Sequence, residues 1–355
     1  MSEDTVTTYD ESAQDVLNAP QVEPVEAPVS AELAEHQVAS AATSRKKPQR
    51  KRLRLRADDP LPEAGRAIMA FHFARLQKLE KAAAAADEEA IHDMRVATRR
   101  IRAAFRIAGP YYKPKAVMFY RAELRRLAQE LGVARDLDVI LNHARAFAGR
   151  RPPDAPAIDA WLNHLQSRRA EAQQNLLDHL GGKRFARFVE DFQTFVSTSG
   201  VAVRAGDHPA GAPRVRDAIP PSIWAQYGVV RAYESIADPP LETLHALRID
   251  FKRLRYLLEF FQSLLGTRTA QLVELTIRAQ DHLGLLQDAC VASNLLRVFI
   301  AESASLTAAD LAGIADYLND LQAEIQSRRE QFPALYAEIT GKPFRRQLAR
   351  LLSNV

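Results

Sequence analysis

The fold is decided by the stretch IHDMRVATRRIR at residues 91–102, because it returns as LHALRIDFKRLR at residues 244–255. An offset of 153 residues aligns one histidine and four cations of the first copy with the same set in the second. The matched pairs are His92 and His245, Arg95 and Arg248, Arg99 and Lys252, Arg100 and Arg253, and Arg102 and Arg255. Two helices that carry the same histidine and cations predict a paired basic surface.

Helical periodicity separates the polar and apolar side chains of each copy. At 100° per residue, an arc of roughly 80° holds His92, Arg95, Arg99, Arg102 and Arg106. The apolar face lies nearly opposite and comprises Met94, Ala97, Ile101, Phe105 and Ala108. The second copy repeats this layout, except that Glu259 stands where the first copy has Arg106. We therefore expect two amphipathic helices, with weaker anion binding near the C-terminal end of the second.

The cations of the first copy are unusually concentrated. Residues 94–122 contain eight Lys or Arg and no Asp or Glu. Like charges three or four residues apart destabilise a helix by roughly 0.2–0.5 kcal/mol per pair. An external anion would offset this repulsion in both copies. The pattern therefore favours an anion site over its alternative, an ordinary solvated helical face.

Composition restricts the class of protein. The chain has 355 residues, of which 47% are hydrophobic, so it can form a large core. Its single cysteine, Cys290, excludes an internal disulfide framework and fits a reducing cytosol. The N-terminus has no apolar signal region, and no stretch approaches the roughly 18 apolar residues that span a bilayer. We expect a soluble cytoplasmic protein without a membrane span.

The net charge of +4 is unevenly distributed along the chain. Residues 1–44 carry nine acids and no Lys or Arg, whereas residues 45–56 carry eight cations. Low hydrophobicity and blocks of like charge predict a disordered tail over residues 1–58. Its basic run could bind a polyanion, pair with the acidic segment or only aid solubility. It also resembles a nuclear localisation sequence, a pattern of low specificity.

From Glu63 onward the periodicity is helical, which predicts an all-α fold. Helices are expected near 63–85, 88–108, 114–133, 136–148, 157–180, 183–198, 222–237, 241–265, 268–286, 288–302, 307–331 and 343–353. Asp136 and Asp288 are expected to cap helices, and Gly132 and Gly284 to allow a local break or a close helix approach.

The duplication continues beyond the first motif. Residues 126–139 align with 278–291, and Ser-Arg-Arg at 167–169 recurs at 327–329. We predict two tandem helical bundles, at residues 59–198 and 222–355, related by a pseudo-twofold axis and joined by a linker at 199–221. The recurring pair Arg126 and Arg278 is expected to extend the anion surface.

These motifs resemble the conserved histidine α-helical domain, CHAD. Its hallmark is a His-x-x-Arg-Val/Ile-x-x-Lys/Arg-Arg-Leu/Ile-Arg helix in each of two repeats, and both copies match it. The resemblance covers about residues 60–353. It departs from the family pattern at Gln287 and Cys290, which replace an arginine and an aspartate of the first copy. No triphosphate-tunnel (CYTH) domain is expected in this chain.

The resemblance implies non-catalytic binding of inorganic polyphosphate, with possible partners in polyphosphate or polyhydroxyalkanoate granules and their proteins. The implied contacts are His92, Arg95, Arg99, Arg100, Arg102, His245, Arg248, Lys252, Arg253 and Arg255, with Arg126 and Arg278 beside them. Helical geometry adds Arg106, which extends the first stripe to roughly 21 Å. Because phosphate favours charged histidine, affinity is expected to rise below about pH 6.5.

Two other functions stay open from the sequence. A metal-dependent polyphosphate or triphosphate hydrolase needs ligand clusters, but no His-Glu-x-x-His pattern is present and the basic stripes would repel a metal. A non-specific nucleic-acid binder fits the charge, but the stripe lacks the interleaved aromatics that stack on bases. We expect no cofactor, no metal, no catalysis and no specific nucleic-acid recognition.

Overall fold

The computed structural model describes residues 53–204 and 211–355. Its elements within those ranges are helices, with two isolated β-bridges, so the predicted all-α class is confirmed. The predicted disorder of the tail, and the roles considered for its basic run, fall mainly on residues 1–52, which lie outside the described residues.

Five helices form the first half of the described chain. They are α1 (Leu61–Ala84), α2 (Glu88–Ala108), α3 (Pro114–Gly149), α4 (Asp159–Leu180) and α5 (Lys183–Ser197). Asp87 caps α2, because its side chain accepts a hydrogen bond of 2.7 Å from the backbone N–H of Ala90. Pro114 occupies the first turn of α3, where its missing N–H costs no helical hydrogen bond.

Helices of the second half repeat this order with one short addition. They are α6 (Val215–Ala232), α7 (Leu241–Phe260), α8 (Gln262–Leu265), α9 (Thr269–Glu302), α10 (Ala308–Thr340) and α11 (Lys342–Leu352). Helix α6 begins inside the predicted linker and includes Pro220 and Pro221. Each of these prolines removes one helical hydrogen bond donor without ending the helix. The pseudo-twofold relation between the halves stays a prediction.

The two predicted breaks before Asp136 and Asp288 are wrong. Helix α3 runs without interruption through Asp136, and α9 through Asp288, so neither aspartate caps a helix. Gly132 and Gly284 are buried inside these helices. Close helix approach, the other reading that the sequence allowed, stays a prediction.

The apolar face predicted for α2 is confirmed by the fold. All five of its members are buried, namely Met94, Ala97, Ile101, Phe105 and Ala108. They join an aromatic core in which the rings of Phe73 and Phe192 lie 4.9 Å apart, edge to face. This packing turns the opposite, cationic face of α2 away from the core of the first half.

Several contacts join the halves. Backbone hydrogen bonds link the segments 57–61 and 213–216, for example from Leu61 N to Pro213 O at 2.8 Å. Between α3 and α10, His143 bonds to Tyr317 at 2.9 Å and to Glu324 at 3.0 Å. The halves are therefore fixed together at two separate places.

Among the described helices, α9 alone is long and apolar enough, by length and composition, to cross a membrane. Half of its apolar window is buried inside the fold, and buried core helices of soluble proteins meet the same criterion. The helix is therefore weak evidence for a membrane span.

A stability prediction follows from the packing of α1 on α2. A Cβ atom added at Gly65 would overlap the side chain of Ala108, whereas one added at Gly109 would meet no described atom within 4 Å. We expect Gly65→Ala to lower the free energy of unfolding by about 2 kcal/mol, because overpacking outweighs the better helix propensity of alanine. Chemical denaturation measures this, with Gly109→Ala as the matched control. Equal stability of the two variants would contradict the close approach.

Candidate functional site

Helices α2 and α7, which carry the duplicated motif, lie against each other. Arg100 Nη2 of α2 lies 3.1 Å from Glu259 Oε2 of α7. The guanidinium of Arg99 lies 5.9 Å from the ring centroid of Tyr256, close enough for a cation–π contact. The two helices that carry the repeat are therefore in contact across the halves.

Two duplicated aspartates lie among these cations. Asp136 Oδ1 of α3 is 3.8 Å from Arg95 Nη2 of α2. The electrostatic neighbours of Asp136 also include Arg248 and Lys252 of α7 and Asp288 of α9. We call these five residues the central cluster. Four helices, two from each half, contribute to it.

The predicted stripes are more enclosed than an open basic surface. The relative exposure is 0% for Arg248, 3% for Lys252, 5% for Arg255, 6% for His92, and 8% for Arg95 and Arg99. His245, Arg100, Arg102 and Arg253 are partly buried, and Arg106 is exposed. The predicted basic surface is therefore not exposed at the six residues from Arg248 to Arg99 in this series. A helical wheel separates polar from apolar faces but does not show which elements cover the polar face. Here α3 of the same half and α7 of the other half both contact it.

Burial changes the protonation chemistry of the central cluster. It raises the pKa of Asp136 to about 8, an effect to which the negative charge of Asp288 adds. Arg95, Arg248 and Lys252 oppose this rise in the pKa, because they stabilise the charged carboxylate. Burial also lowers the pKa of the adjacent Arg135, with Asp138 acting in the opposite direction. Near neutral pH, Asp136 can therefore exchange a proton and alter the charge that the cluster presents.

Acidic partners on the same helix hold several cations of α7. Arg255 donates to Glu259 at 2.7 Å, and Arg253 donates to Asp250 at 3.0 Å. Asp250 also accepts hydrogen bonds from Tyr233 and Gln226, which fix its position. The recurrence of Asp136 and Asp288 was a signal for their role. Glu259 was identified as the acid that stands in place of Arg106, but Asp250 was not identified. Each lies three or four residues from its arginine on the same helix, a spacing that the sequence shows.

Arg126 and Arg278 lie beside residues that do not belong to the central cluster. Arg278 forms an ion pair of 2.7 Å with Glu338 of α10, and both side chains are about half exposed. Arg126 is exposed on α3 and lies near His179 of α4; burial lowers the pKa of His179, and Arg126 lowers it further. The known neighbours of these two arginines thus belong to their own halves. Their role as polyanion contacts stays a prediction.

The departure from the duplicated pattern at Cys290 has a local explanation. In the first half, Asp138 pairs with Arg169. Cys290 stands at the equivalent position of the second half, and Arg329, the equivalent of Arg169, instead pairs with Asp238 at 2.7 Å. Burial raises the pKa of Cys290 to about 11, so its thiol stays protonated at neutral pH. Cys290 is therefore not assigned a role in anion binding.

The CHAD domain family model matches residues 67–297, which is more than half of the chain. The chain belongs to the CHAD domain family, a family associated with polyphosphate-related proteins. The comparison with curated proteins found no match.

Two solved structures share the fold. The crystal structure of the CHAD domain from the plant Ricinus communis is 22% identical, with a TM-score of 0.64, covering 86% of this chain and 97% of that one. PptA from Streptomyces chartreusis is 17% identical, with a TM-score of 0.62, covering 78% of this chain and 99% of that one. At these identities the similarity establishes the fold alone.

Proposed function

We propose that this protein binds inorganic polyphosphate without catalysis, at the place where α2 and α7 meet. One observation carries the proposal: Asp136 has Arg95 of the first half and Arg248 and Lys252 of the second half as electrostatic neighbours. Both duplicated cation sets therefore act on one volume. A linear polymer of closely spaced phosphates is a ligand that can contact both sets at once.

The cations divide into two roles in this proposal. Partly or fully exposed arginines make direct contacts, since a guanidinium forms two parallel hydrogen bonds to phosphate oxygens. The members of this set are Arg100, Arg102, Arg106 and Arg253. Enclosed cations such as Arg248 and Lys252 act through their field, which is stronger at low dielectric constant. A polymer segment that enters between the helices would also contact them directly.

The cellular setting belongs to the same proposal. A cytoplasmic protein that binds polyphosphate would be recruited to granules containing that polymer. Recruitment to polyhydroxyalkanoate granules, or to proteins on either granule, would need contacts in addition to the cations. Fluorescence microscopy of the tagged protein, with and without polyphosphate accumulation, distinguishes recruitment by polyphosphate from the other routes.

The competing functions have a combined test. Among residues 53–204 and 211–355, no group of three or more His, Cys, Asp or Glu is arranged to hold a metal ion. We expect no orthophosphate release when the protein is incubated with polyphosphate and Mg²⁺ or Mn²⁺. We also expect polyphosphate to displace bound DNA readily, whereas DNA fails to displace polyphosphate. Phosphate release would favour the hydrolase, and effective displacement by DNA would favour the nucleic-acid binder.

A pH dependence follows from the raised pKa of Asp136, about 8. Protonation removes a negative charge beside Arg95 as the pH falls from 9 to 6. We expect polyphosphate affinity to rise about tenfold over this range, because one unit charge within 8 Å contributes about 2 kcal/mol at an effective dielectric constant near 20. In Asp136→Asn this rise should be largely lost. Titration calorimetry at several pH values measures it, with Asp191→Asn, a partly buried aspartate of α5, as control.

The same group affects folding stability with a defined sign. The folded chain binds the Asp136 proton more tightly than the unfolded chain, because burial raises this pKa above the ordinary value of 3.8. Its contribution therefore favours folding increasingly as the pH falls from about 8 towards 4. Asp136→Asn should be more stable than wild type at pH 9. An equal or lower melting temperature of the variant at that pH would contradict the buried, destabilising carboxylate.

A further inference from the structure

The two ends of the contact between α2 and α7 differ in charge although the motif is duplicated. Arg100 and Arg253 occupy equivalent positions, but Arg106 of the first copy corresponds to Glu259 of the second. At one end, Arg100 and Glu259 line a cavity of about 520 Å³ and form an ion pair of 3.1 Å. At the other end, Arg253 and Arg106 line a cavity of about 370 Å³. One substitution thus places two arginines where the opposite end has an acid and a base.

The smaller cavity is suited to an anion. No Asp or Glu is among the described residues that line it. Its walls include the apolar side chains of Ile107, Val229 and Leu257 beside the two arginines. Asp250 holds one end of the Arg253 guanidinium at 3.0 Å. The side chain of Arg253 is nevertheless 37% exposed, so further phosphate contacts are sterically open to it.

In the larger cavity the acid already contacts the cations. Glu259 accepts from Arg255 at 2.7 Å as well as lying 3.1 Å from Arg100. A phosphate arriving at this end would have to compete with a carboxylate that is part of the fold. Burial and the charges of Arg100 and Arg75 lower the pKa of His72, another lining residue, to about 3, so His72 adds no positive charge.

We propose that Arg106 and Arg253 bind a terminal phosphate group of the polymer. Glu259 occupies the equivalent place at the other end of the contact between α2 and α7. The proposal rests on polyphosphate binding as the function and adds a direction to it. A bound chain would begin at the smaller cavity and extend into the space between the helices. Short condensed phosphates should then bind once per protein, at this end.

The test measures binding of tripolyphosphate and of a long polyphosphate by titration calorimetry. We expect Arg106→Gln to weaken tripolyphosphate about tenfold, as for the loss of one charge-assisted phosphate contact, and Arg106→Lys to weaken it less. Arg187→Gln, an exposed arginine of α5 that loses the same charge, is the control and should change affinity less than twofold. Because Arg106 is exposed, its variants should fold, and thermal unfolding checks this.

A charge exchange distinguishes phosphate binding by the pair Arg106 and Arg253 from a general effect of lost positive charge. Arg106→Glu should abolish detectable tripolyphosphate binding, and adding Glu259→Arg should restore it by rebuilding the arginine pair at the larger cavity. Unchanged tripolyphosphate affinity in Arg106→Gln would overturn the inference, while long-chain binding would leave the proposed function standing. If folded wild type does not bind long polyphosphate, both the inference and the proposed function are rejected. If the exchanged variant fails to fold, the Arg106→Gln result alone decides.

Discussion

Raising the NaCl concentration from 50 to 200 mM will weaken the binding of long polyphosphate by about a thousand-fold. The estimate takes about seven phosphate contacts and a loss of about 0.7 logarithmic units per contact for each tenfold rise in salt, the value for single-stranded nucleic acids. Cations that contact phosphates release counterions from the polymer, and added salt opposes this release. Isothermal titrations at four salt concentrations give the slope directly.

The slope also reports how many cations take part. The accessible arginines Arg100, Arg102, Arg106 and Arg253 number four, so seven contacts would also require enclosed cations of both copies to meet the polymer. Tripolyphosphate, measured in parallel, should give a shallower slope because it makes fewer contacts. A long-chain affinity that hardly changes with salt would contradict an electrostatic site at α2 and α7.

Neutralising three arginines at the site is expected to have the next largest effect. The variant Arg100→Gln/Arg102→Gln/Arg253→Gln removes partly exposed cations from both halves. Each contact contributes about 1 kcal/mol net, so the three together should lower affinity about a hundred-fold. Competition binding with a fluorescent polyphosphate measures this loss over the required range.

Its control removes the same charge from other surfaces. Arg187 on α5 and Arg346 and Arg350 on α11 are all exposed, and their triple change to glutamine alters the net charge equally. We expect this control to lose less than about fivefold, through the weaker long-range field. Equal losses in the two triple variants, both folded, would show that only net charge matters.

The sequence predicted the helices because periodicity reports burial on a local scale. The spacing of Met94, Ile101 and Phe105 identified the buried face of α2 before any tertiary contact was known. Periodicity was less useful within α3 and α9, where a glycine suggested a break. A glycine buried in a continuous helix and a glycine at a helix break give the same local sequence pattern. Tertiary packing determines which of the two forms.

The candidate site was predicted in its cations and missed in its acids. The duplicated histidines and arginines identified α2 and α7, but their wheel did not reveal that each half covers the other. Arg248, placed on the polar face of α7 by its spacing, is fully buried. Asp250 and Glu259 come to the cations through tertiary and local pairing, and no repeated pattern marked them. The contact between Glu259 and Arg100 of α2 depends on tertiary structure, which the pattern of one helix does not show.

A single site formed by both halves is tested by the binding stoichiometry of a short polyphosphate of about ten phosphates. Titration calorimetry measures it on three proteins. These are wild type, Arg100→Gln/Arg102→Gln in the first half, and Arg253→Gln in the second. If both halves form one site, wild type binds one polymer per chain, and each variant binds more weakly with the same stoichiometry. Two polymers per chain in wild type, with each variant losing one of them, would contradict a shared site.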